Sequence, residues 1–217
     1  MTDRDLDYRA FDALTFDCYG TLIDWETGLL AALRAVLDPA SVTADDETLL
    51  ETYAAFEAEA ESGAYRSYRE VLAAGLRGVC AGFGVLPTDE QVRTFGGSVA
   101  DWPAFPDSAA ALAILKTRFR LGVTFDWVVT AEQARGYKPN LANFALAFER
   151  IGLPRDRILH VAQSLYHDHV PAKTLGMTTV WIDRRHDRTG SGATPPADAR
   201  PDATFPDMAG FAAAAVA

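Results

Sequence analysis

The chain has 217 residues, of which 49% are hydrophobic and 23% charged, a composition typical of a globular protein rather than a disordered or collagen-like one. Its net charge of −10 argues against a broad nucleic-acid-binding surface, because such a surface needs a basic face. Two cysteines and an acidic N-terminus without an apolar stretch favour a cytoplasmic protein with no disulfide framework, signal peptide or membrane contact.

The first predicted element is a buried strand in the segment ALTFDCYG, residues 13–20. The segment is short and apolar, as expected for a strand that is covered on both faces. Asp17 follows its apolar part and therefore lies at the carboxyl end of the strand, the edge at which open α/β sheets bind ligands. A carboxylate in this position can act as a nucleophile or can simply cap a turn, and the position alone leaves both interpretations open.

Residues 25–100 show four stretches of helical periodicity. The first ends at Pro39, Thr43 with Asp46 resembles a capping box for the second, and Thr88 opens the fourth. Four helices in a row after one strand predict a separate helical lobe.

Strands and helices alternate from residue 105 onwards. Segments 120–123, 125–129, 157–162 and 177–182 have strand character, and Pro139 precedes a helical pattern that ends at Gly152. Residues 183–206 suggest a surface loop, and the alanine-rich tail suggests a short terminal helix. The pattern predicts an α/β fold, with a Rossmann-like parallel-sheet core in residues 1–23 and 105–217 and an inserted helical cap in residues 24–104.

Three motifs in order resemble those of the haloacid dehalogenase superfamily. FDCYGTLID, residues 16–24, resembles motif I, whose first Asp is the nucleophile. GYKPN contains Lys138 and resembles motif III, and HVAQSLYHDHVPAKTLG contains Asp168 and resembles motif IV. The helical insertion after motif I resembles the cap domain of that superfamily.

Two positions distinguish between branches of this superfamily. In motif I the phosphatase branch has a second Asp, which is its general acid and a Mg²⁺ ligand. This chain has Tyr19 at that position. In motif IV the phosphatases have another Asp, and this chain has Gln163 there. Both changes remove charge that a hard divalent cation and phosphoryl transfer require. The D-x-Y-G-T form resembles the L-2-haloacid dehalogenase (type II) branch, whose reaction needs neither a metal nor a cofactor.

This resemblance implies a hydrolase acting on carbon–halide bonds, with a short 2-haloalkanoic acid as substrate and a 2-hydroxy acid as product. Asp17 would form an ester with C2 of the substrate, Lys138 would keep Asp17 ionised, Thr21 would hydrogen-bond to it, and Asp168 would activate water. Many relatives are dimers, so the resemblance also allows a homodimer. Further candidates for substrate binding follow from the resemblance and from residue chemistry: Tyr19, Ser164, Arg66, Arg69, Thr124, Phe144 and Trp102.

Motif II departs from the family pattern. The Ser-Asn strand end and the crossover helix that follows it are absent from RFRLGVTFDWVVTAEQARGYKP, so residues 122–129 must form one continuous strand or distort the sheet. Thr124 and Thr130 are the candidates to replace the missing hydroxyl. Two alternatives to a dehalogenase therefore remain open: a phosphatase of the same superfamily, and a relative whose catalysis is impaired by the missing segment.

Overall fold

The computed structural model describes residues 6–122 and 126–217. The chain divides into two compact units, which we call the core unit and the helical unit. The core unit comprises the described residues of segments 1–23, 104–189 and 196–217, and the helical unit comprises residues 24–103 and 190–195.

A parallel sheet forms the centre of the core unit. Within the described residues it has five strands in the order β2-β1-β3-β4-β5. The strands are β1 (Ala13–Phe16), β2 (Arg120–Gly122), β3 (Ile158–Ala162), β4 (Thr178–Ile182) and β5 (Ala203–Phe205). All neighbouring pairs are parallel, which confirms the predicted α/β class with a parallel sheet.

Helices make up most of the remaining structure. The helical unit contains α1 (Trp25–Leu37), α2 (Asp46–Glu61), α3 (Tyr68–Gly82) and α4 (Asp89–Gly97). The core unit contains α5 (Ser108–Lys116), α6 (Ala131–Ala134), α7 (Ala142–Ile151), α8 (Val170–Thr174), α9 (Met208–Val216) and a π-helical turn, Leu165–His169. No helix among the described residues combines the length and apolarity needed to cross a membrane.

The central strands are buried on both faces, as their apolar sequences predict. Every residue of β1 and of β3 is buried. Side chains from β1, β3 and β4 pack on one face against α5 and α9, where Leu115 and Phe211 are fully buried. A second cluster on β1 and β3 packs against α7 through Phe144 and Ile151.

Two sequence-based helix boundaries differ from the structure. Helix α2 is capped by Asp45, whose carboxylate accepts from the Thr48 amide, rather than by Thr43. Helix α7 begins at Ala142, three residues after Pro139, and ends at Gly152 in the left-handed conformation, as predicted.

The predicted loop at residues 183–206 also contains regular structure and a segment of the other unit. Strand β5 pairs with β4, and residues 190–195 belong to the helical unit rather than to the core. The Gly192 amide donates to Glu47 and the Ala193 amide to the buried Glu26. These contacts to α1 and α2 could not be read from a stretch rich in Gly and Pro.

The described residues on the two sides of segment 123–125 lie next to each other rather than in one continuous strand. Gly122 is the last described residue before that segment, and Trp127 forms an isolated parallel bridge with it. The Asp126 carboxylate accepts a hydrogen bond from the Leu121 amide and pairs with Lys116. A side chain thus satisfies an amide that a further strand would otherwise engage. Thr124 lies outside the described residues.

A buried carboxyl group lies within the helical unit. Glu57 of α2 is buried, and its Oε1 accepts hydrogen bonds from the hydroxyls of Tyr53, at 3.0 Å, and Tyr68, at 3.1 Å. Burial raises the pKa of Glu57 to about 7, although both hydroxyl donors oppose the rise. The folded state therefore holds a proton on Glu57 at pH values where the unfolded chain has lost it.

Because the folded state binds this proton more tightly, the free energy of unfolding should fall as pH rises from the ordinary glutamate range to about 7. Glu57→Gln keeps an acceptor for both tyrosines but has no proton to lose. We expect its melting temperature to match that of the wild type at pH 5 and to exceed it at pH 8. Glu51→Gln, an exposed change in the same helix, is the control. Equal differences at both pH values for Glu57→Gln would contradict this account.

Candidate active site

Asp17 is the first residue after β1, at the carboxyl edge of the sheet. Its backbone amide donates to the Val161 carbonyl of β3, so the ladder between β1 and β3 extends to the residue itself. Gly20 follows with a φ of 86°, a conformation that favours glycine, and the chain turns there away from the strand. The turn leaves the Asp17 carboxylate at the end of the strand, where partners from other segments reach it.

Lys138 connects Asp17 with a second carboxylate. Its Nζ lies 2.6 Å from Asp17 Oδ1 and 2.6 Å from Asp168 Oδ1. Asp168 belongs to the π-helical turn after β3 and its side chain is fully buried. Three residues chosen from three separate motifs thus form one contiguous group.

Thr21 supports the same carboxylate from the other side. Its fully buried hydroxyl donates to Asp17 Oδ2 at 2.9 Å and accepts from the Gln163 amide at 2.9 Å. This hydroxyl therefore joins the turn after β1 to the turn after β3. The resemblance to the superfamily implied a hydrogen bond between Thr21 and Asp17, and the structure contains one.

The charges of the three central groups depend on one another. Although burial alone would raise it, Lys138 and His160 together hold the pKa of Asp168 well below its usual range. Burial raises the pKa of Asp17, and Lys138 and Thr21 oppose the rise because both donate to the ionised form. The two carboxylates in turn outweigh burial and raise the pKa of Lys138. Lys138 is therefore a permanent cation between two acids.

His160 is a member of this group that sequence reasoning did not include. It lies in the middle of β3, and its Nε2 is 3.0 Å from Asp168 Oδ1. Its Nδ1 is 2.9 Å from Thr15 Oγ1 on the neighbouring strand. The sequence signal was a lone ring with polar atoms inside an otherwise apolar strand, directly before motif IV, and such a ring needs a buried partner.

Three of the predicted substrate-binding residues lie in the core unit. Tyr19 is exposed on the turn after Asp17. Ser164 is buried, and its hydroxyl accepts from the His167 amide at 2.9 Å, so it caps the π-helical turn. Phe144 is buried and meets the His160 ring edge-on at a centroid distance of 5.3 Å. Tyr19 is the one whose side chain is open to solvent.

The other predicted substrate-binding residues lie in the helical unit or in the undescribed segment. Arg66 and Arg69 are exposed at the start of α3. Trp102 is buried against Trp25 and Tyr68, so within this unit it is a packing residue. Thr130, the second candidate for a motif II hydroxyl, accepts from the Gln133 amide and caps α6.

Comparison with known proteins finds similarity in sequence and in fold over most of the chain. No protein-family model matches the chain. An (S)-2-haloacid dehalogenase of Pseudomonas putida is 23% identical over 203 residues, which span 82% of this chain and 88% of the relative. The solved structure of an L-2-haloacid dehalogenase from Xanthobacter autotrophicus with chloropropionic acid covalently bound has a TM-score of 0.74, with 19% identity over 94% of this chain and 97% of that one. A magnesium-bound putative hydrolase of the haloacid dehalogenase type from Bacillus subtilis has the same TM-score, 0.74, with 15% identity over 95% of this chain and 99% of that one.

The chain is similar in sequence to (S)-2-haloacid dehalogenases, and its fold is that of solved proteins of the haloacid dehalogenase type. The predicted resemblance to this superfamily and the predicted fold are confirmed. The structural neighbours include both a dehalogenase and a magnesium-bound protein at the same TM-score, so the fold alone does not select an activity. The side chains at the carboxyl edge of the sheet must decide it.

The residues at this edge do not suit the magnesium of the superfamily's phosphatases. Among residues 6–122 and 126–217 no group of three or more His, Cys, Asp or Glu side chains is arranged to hold a metal ion. Tyr19 offers no carboxylate at the position where these phosphatases have one.

Thr21→Val should destabilise the protein by about 1–3 kcal/mol, because it leaves the Gln163 amide and Asp17 Oδ2 without a partner. Thr21→Ser keeps the hydroxyl, so its free energy of unfolding should stay close to that of the wild type. Urea unfolding followed by circular dichroism measures both. Equal midpoints for the valine and serine variants would show that the hydroxyl does not join the two turns.

Proposed function

We propose that this chain is a hydrolase that removes halide from short 2-haloalkanoic acids and releases 2-hydroxy acids, with Asp17 as the nucleophile and without a metal. The observation that carries the proposal is the Lys138 ammonium at 2.6 Å from both Asp17 and Asp168. Similarity to (S)-2-haloacid dehalogenases over most of the chain supports the same reaction class.

In the first step a carboxylate oxygen of Asp17 attacks C2 of the substrate in line with the carbon–halogen bond. A C2–O bond forms, the carbon–halogen bond breaks, and the halide leaves with the bonding electron pair. The product of this step is an ester on Asp17, with inverted configuration at C2. Lys138 favours the ionised nucleophile, and Thr21 holds its second oxygen, so the carboxylate is oriented before substrate binds.

In the second step water cleaves the ester at the Asp17 carbonyl carbon. Asp168 accepts a proton from the attacking water, the oxygen of that water enters the Asp17 carboxylate, and the bond to the original ester oxygen breaks. That oxygen leaves with C2 and takes the proton from Asp168 as the hydroxyl of the product, which restores the Asp168 carboxylate. The Asp17 carboxyl group releases the second proton of the water to solvent. Asp168 suits this role because its Oδ2 has no hydrogen-bond partner among the described residues and can accept one from the attacking water.

The missing motif II segment favours a second candidate, a folded relative with little or no turnover. In the superfamily that segment supplies a hydroxyl for the substrate's charged group. Of the two candidate replacements, Thr130 caps α6 with its hydroxyl, and Thr124 lies outside the described residues. Loss of one positioned polar contact costs a few kcal/mol of transition-state stabilisation, on the order of a hundredfold or more in rate.

Halide release distinguishes these candidates. Folded protein is incubated with L-2-chloropropionate or haloacetates in the presence of EDTA. We expect halide release that EDTA leaves unchanged and that Asp17→Asn abolishes. Release that requires Mg²⁺ would favour a metal-dependent reaction, and no release from folded wild type with any of these substrates would favour the impaired relative.

Isotope labelling tests the ester on Asp17. In a single turnover with excess enzyme in ¹⁸O-water, the label should appear in the peptide that contains Asp17 and not in the 2-hydroxy acid, because the water attacks the Asp17 carbonyl carbon. Mass spectrometry of the digested protein and of the product measures both. Label in the product after one turnover would mean that water attacks C2 directly.

A further inference from the structure

We propose that His160 is a positioning residue for the hydrolytic step, holding Asp168 by one oxygen so that the other remains free to accept a proton from water. This inference rests on the proposed function. It assigns a role to a buried histidine whose two ring nitrogens both have partners, neither of them in the solvent.

The first observation is the continuity of the hydrogen-bonded chain. Thr15 of β1, His160 of β3 and Asp168 are all buried. Thr15 Oγ1 lies 2.9 Å from His160 Nδ1, and His160 Nε2 lies 3.0 Å from Asp168 Oδ1. Lys138 then connects Asp168 to Asp17. The chain therefore runs from the interior of the sheet to the nucleophile without an intervening water position.

The second observation concerns the tautomer of the ring. Lys138 favours the ionised form of Asp168, and an ionised carboxylate only accepts hydrogen bonds. His160 Nε2 must therefore carry a hydrogen and donate a hydrogen bond to Oδ1. In this tautomer Nδ1 accepts a hydrogen bond from the Thr15 hydroxyl, so the contact with Thr15 is compatible with the tautomer that Asp168 requires.

The third observation is that the two carboxylate oxygens of Asp168 differ in their hydrogen bonds. Oδ1 accepts from both His160 Nε2 and Lys138 Nζ, whereas the buried Oδ2 has no partner among the described residues. A buried acceptor without a partner is costly unless a ligand or water completes it. The edge-on contact of Phe144 restricts the plane of the His160 ring and with it the orientation of the carboxylate.

The other charged and titratable neighbours of Asp168 do not duplicate this contact. His167 Nδ1 faces the Ser164 hydroxyl, and His169 Nε2 faces the Ala162 carbonyl. Burial lowers the pKa of each of these two rings to about 4, so both are neutral in the ordinary working range. Lys138 and Asp17 are two further charged groups that act on Asp168.

The test compares variants of His160 by steady-state and rapid-quench kinetics. His160→Phe keeps a ring but removes both hydrogen bonds, and we expect kcat to fall about ten- to a hundredfold, the range typical for a residue that orients another functional group. KM should change little, and the ester on Asp17 should accumulate, as detected by intact-protein mass spectrometry. His160→Gln, which can still donate to Asp168, should recover much of the lost kcat.

The pH profile separates positioning from a general loss of packing. Without the His160 donor the pKa of Asp168 should rise, so the acidic limb of the kcat profile should move to higher pH in His160→Phe and, by a smaller amount, in Thr15→Val. Thr179→Val is the matched control, because Thr179 is also a buried strand threonine but its hydroxyl has no partner among the described residues. Its acidic limb should stay where the wild type has it.

A measurement on the protein without substrate tests the tautomer of His160 independently of catalytic activity. Nitrogen-15 NMR of the histidine rings should show the Nε2–H tautomer for a resonance that disappears in His160→Gln. Observation of the Nδ1–H tautomer for this resonance would overturn the inference. So would an active wild type from which folded His160→Phe differs neither in kcat nor in the acidic limb. Absence of halide release from the wild type would instead overturn the proposed function and leave the tautomer result standing.

Discussion

The structure of the site depends on one ammonium group shared between two buried carboxylates. Charges removed from water are costly unless they are paired, and removal of one partner from a buried pair leaves an uncompensated charge. Asp17 and Asp168 alone would repel each other, and Lys138 makes their proximity favourable. Because these residues come from distant parts of the chain, this pairing also joins three loops at one edge of the sheet.

The uneven treatment of the two carboxylates follows from their surroundings. Asp168 is fully buried and receives two donors on one oxygen, which stabilises its anion. Asp17 is partly exposed, and its donors are spread over both oxygens. One acid is thus held as a fixed anion in the interior, and the other stands at the strand end with an exposed fraction that a substrate can reach. The two aspartates therefore differ in burial and in hydrogen bonding although their side chains are chemically identical.

Sequence patterns predicted the parts of this arrangement that local chemistry determines. The apolar runs of β1, β3 and β4 predict buried strands, and the residue that follows such a run lies at the sheet edge whatever the rest of the fold does. The contacts that sequence did not predict are long-range. Nothing in the composition of residues 190–195 indicates a pairing with Glu26 and Glu47, and only the register of β1 against β3 brings Thr15 to His160.

The departure in motif II lies beside β2 and contributes few of the hydrogen bonds around Asp17 and Asp168. Strand β1 is paired on both sides, with three residue pairs to β2 and four to β3. The Asp17 amide, the Thr21 hydroxyl and the Asp168 carboxylate all have their partners on the side of β3 and the turn after it. The Lys138 loop is held from α7, where Asn143 donates to the Gly136 carbonyl.

The hydrogen bonds that orient Asp17, Thr21 and Asp168 therefore come mainly from β3 and the turn after it, although Lys138 and Asp168 also line a cavity with Gly122 of β2. Under the proposed function, the missing segment removes a contact to the substrate and leaves the charge arrangement of Asp17, Lys138 and Asp168 in place. An effect of the gap on catalysis should accordingly fall on substrate binding and orientation, while the ionisation of Asp17 and Asp168 is set by groups that the gap leaves in place.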